Sequence, residues 1–194
     1  MSELTPKERL IQQFQTLSSP PLAADQLITD LLAVEKQARY HPPADDFAQL
    51  LGSWQLRFVT GTKKVRQRAG VVLGSGQYLP SWLSITLAYE ADAYTTGRMI
   101  NLVSLGALKL IVSGPCRFYS PRNLLAFDFT RLEVKLGILK LFQGFLGNGA
   151  EREAQFLQSS IGKQAFFVFF FLEKGVIAAR GKGGGLAVWV KQGT

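Results

Sequence analysis

Apolar residues recur along this chain with two different periods, and the change from one to the other falls at Gly52. Before it they return every three or four residues. Leu10, Ile11, Phe14 and Leu17 make one stripe, and Leu27, Ile28, Leu31 and Leu32, with Glu35 beyond them, a second; this is the spacing of amphipathic helices. Thr5-Pro6-Lys7-Glu8 is a capping box with proline at the first helical position, so a helix is expected over 6–17, ended by Ser18-Ser19-Pro20-Pro21. A second helix, over about 22–39, is stopped by Pro42-Pro43. Asp45 or Asp46 can cap one further turn through Leu50, which hands the chain to Gly52.

From Gly52 onward apolar and polar residues alternate. In a strand over 53–60, Trp54, Leu56 and Phe58 share one face and Gln55 and Arg57 the other. A glycine two residues before a tryptophan, opening the first strand after a helical lead-in, suits a small ligand-holding barrel. There Gly52 lets the backbone bend and the indole plugs the floor. Further strands are expected over 65–73, 83–89, 97–105, 107–119 (interrupted at Gly114-Pro115), 124–136, 165–172, 176–180 and 186–191. Eight or nine short strands with Gly-rich turns predict an α+β, mainly β chain: an antiparallel up-and-down meander closing on itself. Residues 1–50 form a helical segment packing on it, and residues 51–194 form the barrel.

Two stretches break the alternation. Residues 136–149, LGILKLFQGFLGNG, are apolar nearly all round, with Lys140 the only charge; they could continue a strand, form a lid helix or lie on a membrane. Residues 165–172, AFFVFFFL, are apolar on both strand faces, so the second face must meet the helices, a partner or lipid.

Charge narrows the partners. The net charge is +8, divided into −3 over residues 1–50 and +11 over residues 51–194, so an anionic lipid surface or a nucleic acid is implied. A nucleic-acid site interleaves aromatics with basic residues. The densest basic cluster, Lys63, Lys64, Arg66 and Arg68, has no aromatic within it, so nucleic acid is the weaker reading. No apolar run reaches the roughly 20 residues of a spanning helix. MSELTPKERL holds no apolar core or cleavage site, so no secretory signal is expected. The single Cys116 excludes a disulfide framework and suits a reducing compartment.

Catalytic chemistry finds little support. The one histidine, His41, stands in a linker before two prolines, and Cys116 lacks a partner for a Cys/His metal site. Gly181-Lys182-Gly183-Gly184-Gly185 lacks the Gly-Lys-Ser/Thr ending of a phosphate loop and runs into a strand. Asp128 and Glu133 fall on opposite strand faces, which leaves no paired carboxylates. No enzyme activity, cofactor or metal is expected.

Three segments carry a resemblance. FLEKGVIAARGKGGGLAVWVK (171–191) resembles the closing segment of the plastid lipid-associated protein, or fibrillin, family. Ala33-Val34-Glu35 through Pro42-Pro43, and Leu51-Gly52-Ser53-Trp54 with Phe58-Val59-Thr60, resemble its helix, proline break and Gly-x-Trp strand. Ile177 and Lys182 depart from the family pattern, which usually has a basic residue at the first position and an acidic one at the second. The resemblance implies a lipocalin-like barrel of plastids or cyanobacteria that binds lipids, carotenoids or prenylquinones on thylakoid-associated membranes and lipid globules.

On this reading Trp54, Leu56, Phe58, Leu87 and Tyr89 line a cavity together with Phe127, Phe129, Phe167, Phe169 and Trp189. Their alternative is to fill a solid core. Gly52, Trp54 and Arg180 close the base, with Arg180 stacked on the indole as in many lipocalin-like barrels. Lys63, Lys64, Arg66 and Arg68 dock on anionic head groups, with Leu139, Phe142, Phe145 and Leu146 inserted beside them. The competing expectation is a scaffold with a filled barrel that offers Phe166, Phe170 and 136–149 to a protein partner.

Overall fold

The computed structural model describes residues 4–15, 21–43, 46–61 and 76–193. The capping box forms: Thr5 N donates to Glu8 Oε2 (2.8 Å), and Glu8 N donates to Thr5 Oγ1 (3.2 Å). Helix α1 runs Pro6–Gln15 and α2 Ala24–Ala38. Their stripes pack together, and Arg9 clasps the buried Asp30 across the pair through Nε (2.8 Å) and Nη2 (2.5 Å). Asp46 accepts from Ala48 N (2.9 Å) and caps the 3-10 turn Phe47–Leu50.

Eight antiparallel strands then close into a ring. In spatial order these are β1 (Gly52–Thr60), β3 (Leu83–Ala91), β4 (Thr96–Leu105), β5 (Leu108–Tyr119), β6 (Leu124–Phe127), β9 (Ala165–Glu173), β10 (Val176–Gly181) and β11 (Leu186–Lys191), which returns to β1. Inward side chains of all eight strands share one core with Phe47 and Leu50. A second core lies outside the ring, where Leu10, Leu27, Leu31 and Val34 of the helices cover Phe170, Phe171 and Val188. The double-sided apolarity of 165–172 is thus satisfied within the chain, by α2 and by Phe156 and Ile161 beyond it.

Among the described residues, three strands lie off the ring. Short β2 (Gly76–Tyr78) pairs with the end of β1, while β7 (Arg131–Leu136) and β8 (Leu139–Phe145) extend past the barrel mouth. Strand β5 is long enough to serve both structures. Residues 116–119 pair with β6 in the ring, and residues 108–113 pair with β7 above it. The first halves of β3 and β5, the second half of β4, and β7 and β8 thereby make a sheet that rises from one side of the mouth as a lip. Where one strand was expected over 124–136, the chain breaks at Asp128–Thr130. There the Asp128 carbonyl crosses so close to Gly114 that a Cβ on Gly114 would lie 1.9 Å from it. The segment 136–149 is a hairpin leading into α3 (Gly149–Gln155), which the apolar pattern had hidden.

Helix α3 holds this break from outside. Arg152 Nη1 reaches Asp128 (3.2 Å) and its Nη2 donates to the Phe129 carbonyl (3.0 Å). Glu153 accepts from Thr130 Oγ1 (2.6 Å), Arg98 (2.7 Å) and Arg131 (3.1 Å). Partial burial raises the Glu153 pKa, but hydrogen bonds from Arg131, Thr130 and Arg98 outweigh it and hold the carboxyl down at about 2. A pKa lower in the folded chain than in the unfolded one gives stability that is full above about pH 4.3 and lost as pH falls toward 2. Urea unfolding at pH 5 and pH 2 is expected to show a pH-dependent loss on the order of 2 kcal/mol that Glu153→Gln lacks.

Candidate ligand-binding site

Trp54 seals the base of the barrel. Its Nε1 donates to the Leu50 carbonyl (2.6 Å), Gly52 ahead of it takes a φ of +102°, and the Lys191 ammonium lies 5.3 Å from the ring centroid. Arg180 does not take that place. Ile177 and Ala179 face inward, so Arg180 faces outward. It binds both Glu35 carboxylate oxygens on α2 at 2.5 Å and donates to the Gly184 carbonyl (2.7 Å). Its role is to pin α2 to the barrel wall.

Leu87, Tyr89, Phe127, Phe169 and Trp189 are buried in the inner core, with Leu56, Phe129 and Phe167 half-buried against it. Phe58 departs from the expected set. A bulge between Leu56 and Phe58, where β1 pairs β11, reverses the parity and turns Phe58 outward, under the helices. A second slip, where β9 pairs β10, leaves Phe169 inside and both Phe170 and Phe171 outside. Phe170 is therefore buried against α2 rather than presented on an exposed strand face.

The base is packed by side chains, the Phe47 and Phe118 rings stacking at 6.0 Å. Toward the mouth, Phe167 meets Phe127 and Trp189 at 5.0 and 5.3 Å along the wall. Open space lies beside the mouth. At the seam where β3 parts from β1, a cleft of about 400 Å³ is lined by Phe14, Gln55, Leu56, Arg57, Tyr78 and Leu83. It touches both the inner core, through Leu56, and the lip, through Leu83. A wider groove of about 780 Å³, along Val34, Tyr40, Pro42 and Phe170, lies on the helix-covered side.

The register divides the lip into two unlike faces. One carries Ile85, Val103, Leu110 and Val134 in a cross-strand row ending at Phe142, and it continues downward through Leu87 to Tyr89 and Met99 inside the barrel. The other carries Lys109, Lys135, Glu133 and Arg131. Phe142 and Phe145, expected to act together, fall on opposite faces; Phe145 lies on the charged one, 4.7 Å beneath the Arg131 guanidinium. Lys63, Lys64, Arg66 and Arg68 lie outside the described residues.

Two polar atoms interrupt the inner face: in register, Tyr89 lies opposite Gly52 at the base, and Asn101 lies opposite Leu87, one pair nearer the lip. The Tyr89 hydroxyl and Asn101 Oδ1 are buried without a hydrogen-bond partner among the described residues. Burial, and to a lesser extent the neighbouring Cys116, pushes the Tyr89 hydroxyl pKa well up. Burial and Asp92 push the Cys116 thiol up to about 12, against an opposing pull from Arg98. Both groups stay neutral near pH 7, one a hydrogen-bond donor and the other a poor nucleophile. Among the described residues no three His, Cys, Asp or Glu side chains gather to hold a metal ion.

Sequence reasoning had not singled out Asn101 or the lip. A legible trace of the lip was the recurrence of Leu-Gly-x-Leu at 105–108 and 136–139, two hairpin turns of the same kind.

No protein-family model matches the chain, and no curated protein matches it. Among solved structures, the chain is similar to a redesigned β-barrel, b11L5F_LGL, at 9% identity and TM-score 0.38, over 77% of this chain and 96% of that one. It is similar to fatty-acid-binding protein 1 of Echinococcus granulosus at 10% identity and TM-score 0.35, over 76% and 100%. It is also similar to the redesigned barrel mFAP1 bound to DFHBI, at 10% identity and TM-score 0.34, over 77% and 98%.

Proposed function

We propose that the protein is a non-catalytic carrier that holds a hydrophobic small molecule in the barrel mouth, against the lip and the seam cleft. One observation carries this reading: the apolar inner face does not end at the mouth but runs on, half-exposed, up one face of the lip. A solid structural barrel has no use for such a surface, whereas a ligand with a long apolar body covers it. The fibrillin resemblance adds the ligand class (lipid, carotenoid or prenylquinone) and a place, the surface of a photosynthetic membrane or lipid globule in a reducing compartment.

Tyr89 and Asn101 sharpen the ligand. A buried hydroxyl without a partner costs about 1–3 kcal/mol. A ligand whose polar end reaches down past Leu87 to the base repays this by accepting from the Tyr89 hydroxyl, which favours a quinone or an acyl lipid over a pure hydrocarbon. Tyr89→Phe is expected to leave the ligand-free protein as stable or up to about 1 kcal/mol more stable. It weakens a carbonyl-bearing quinone about five- to ten-fold and leaves a hydrocarbon carotenoid unaffected. Fluorescence-quenching titrations with both ligands check this. Solvent extraction of protein purified from its native host, followed by mass spectrometry, is expected to yield one hydrophobic compound per chain. An empty extract, with no binding of either ligand, overturns the carrier reading.

A second reading has one observation in its favour. Among the described residues the outer edge of β8 is unpaired, and its residues Leu139, Leu141 and Phe142 are exposed, an arrangement open to strand addition by a protein partner. An empty extract together with a stable strand-added complex favours it.

A further inference from the structure

We propose that the free end of the lip inserts into an anionic lipid bilayer, apolar turns first, with a row of three lysines meeting the head groups. Register alone brings the parts together. At the last paired position of the lip, Leu83 lies opposite Leu105, Leu105 opposite Leu108, Leu108 opposite Leu136, and Leu136 opposite Leu139. Five leucines thus cross five strands in one row, about 19 Å wide at the usual strand spacing. Beyond them project the two turns, Gly106-Ala107 and Gly137-Ile138, each with its glycine at positive φ (+57°) in the first central position. This is the II′ arrangement that suits a two-residue hairpin. Gly137 N donates to the Ala107 carbonyl (2.8 Å), so the two turns form one edge. Ile138 is fully exposed there, Trp82 is 65% exposed next to Leu83, and the edge from 105 to 108 and 136 to 139 bears no charge.

One residue back from this edge, on the opposite face, the register sets Lys109 beside Lys135 and Lys135 beside Lys140. Glu133 pairs with Lys135 (2.9 Å), and Lys109 has no ion pair among the described residues, so the row keeps a net positive charge. An uncharged apolar edge backed at one residue's depth by a line of ammonium groups matches the sequence of layers in a bilayer, acyl chains beneath anionic head groups. A protein partner for the edge needs no such charge behind it. Insertion in this pose stands the lip upright, so that its apolar face joins the membrane interior to the barrel mouth. That route, unlike the docking itself, rests on the carrier reading.

Vesicles of phosphatidylglycerol and of phosphatidylcholine test the proposal on the full chain. Of its three tryptophans, Trp54 and Trp189 are buried, so a blue shift on vesicle addition reports Trp82 entering the bilayer. The intact protein is expected to float with phosphatidylglycerol, show that shift, and lose both in high salt. Replacing Lys109, Lys135 and Lys140 by Ser lowers the partition coefficient about a hundred-fold, near five-fold per lysine. Ala107→Asp with Ile138→Asp, at exposed turn positions that the fold does not use, lowers it at least ten-fold and removes the shift. Flotation unchanged in both variants overturns the docking edge. So does flotation abolished only when Lys63, Lys64, Arg66 and Arg68 are replaced by Ser, or a solution dimer that Ile138→Asp dissociates. Quinone binding in vesicle-free buffer separates the two claims: if it persists while flotation fails, the carrier stands and the edge falls, and the reverse pattern removes the carrier alone.

Discussion

Trp54→Ala is expected to lower the unfolding free energy by about 3–5 kcal/mol, among the largest losses any single change in the barrel can cause. Three costs coincide at this residue. The indole is 3% exposed and fills the base between Phe47, Leu50 and Leu87, so its removal leaves a cavity that the rigid ring of strands closes only in part. The Leu50 carbonyl loses the donor 2.6 Å away and remains buried. Lys191 loses the aromatic face beneath its ammonium. Trp54→Phe separates these contributions, since it keeps most of the volume and loses the N–H, at about 1 kcal/mol. Urea unfolding followed by circular dichroism measures both, with an unchanged slope showing that the unfolded states are comparable. Trp54 and Tyr89 share the base, Trp54 opposite Leu87 and Tyr89 opposite Gly52, so Trp54→Phe is expected to weaken a quinone that reaches Tyr89 and to leave a hydrocarbon ligand held at the mouth and the lip unaltered. Equal losses for the quinone and the hydrocarbon place the whole ligand deep in the barrel and overturn the mouth site.

The base was legible in the chain because everything specifying it is local. Gly52, Trp54 and the Phe47–Leu50 turn lie within eight residues, and the capping box and the helix stripes are read over one or a few turns. The mouth was not, because its residues are placed by register between distant strands. A bulge adds one residue to a strand and reverses the facing of all that follow. Alternation counted forward from Trp54 therefore misplaced Phe58, and it could not say which of the five phenylalanines between 165 and 172 faced in. Arg180 was misassigned by analogy: in this chain Glu35 offers a carboxylate on the outer side, and a bidentate ion pair outweighs stacking on an indole already occupied by Lys191. The lip was only partly legible: Gly114-Pro115 marked the interruption at which β5 changes partners and the Asp128 carbonyl approaches, but nothing local names the partner that β5 takes above it.

One physical theme joins the two candidate surfaces. The helices cover the outer face of β9, β10 and β11, and α3 braces the break below the lip, so polar clasps spend stability to hold apolar surface in place. The inner face of the lip has no comparable cover among the described helices, and this contrast marks it as the working surface.

The second large effect is expected at the clasp between α1 and α2. Arg9→Met should destabilise the docked helices by about 3–5 kcal/mol, because Asp30, 1% exposed, is left as a buried carboxylate with, among the described residues, only Gln26 Nε2 at 3.2 Å for support. The opposite change should cost less. Asp30→Leu removes one partner of an arginine whose side chain is 29% exposed, which keeps its hydrogen bond to the Leu4 carbonyl and can turn to water, a loss of about 1 kcal/mol. The double variant Arg9→Met with Asp30→Leu removes both charges, adds apolar area beside Leu27 and Leu31, and is expected to recover most of the loss. Hydrogen exchange over residues 6–15 measures the effect directly, since local undocking of α1 admits water to Asp30 and limits what global unfolding can show. The clasp also reaches the site: Phe14 of α1 lines the seam cleft, so undocking removes one of its walls. Arg9→Met should therefore speed quinone dissociation while the double variant restores it, whereas equal losses from the two single changes would show that the carboxylate is not effectively buried.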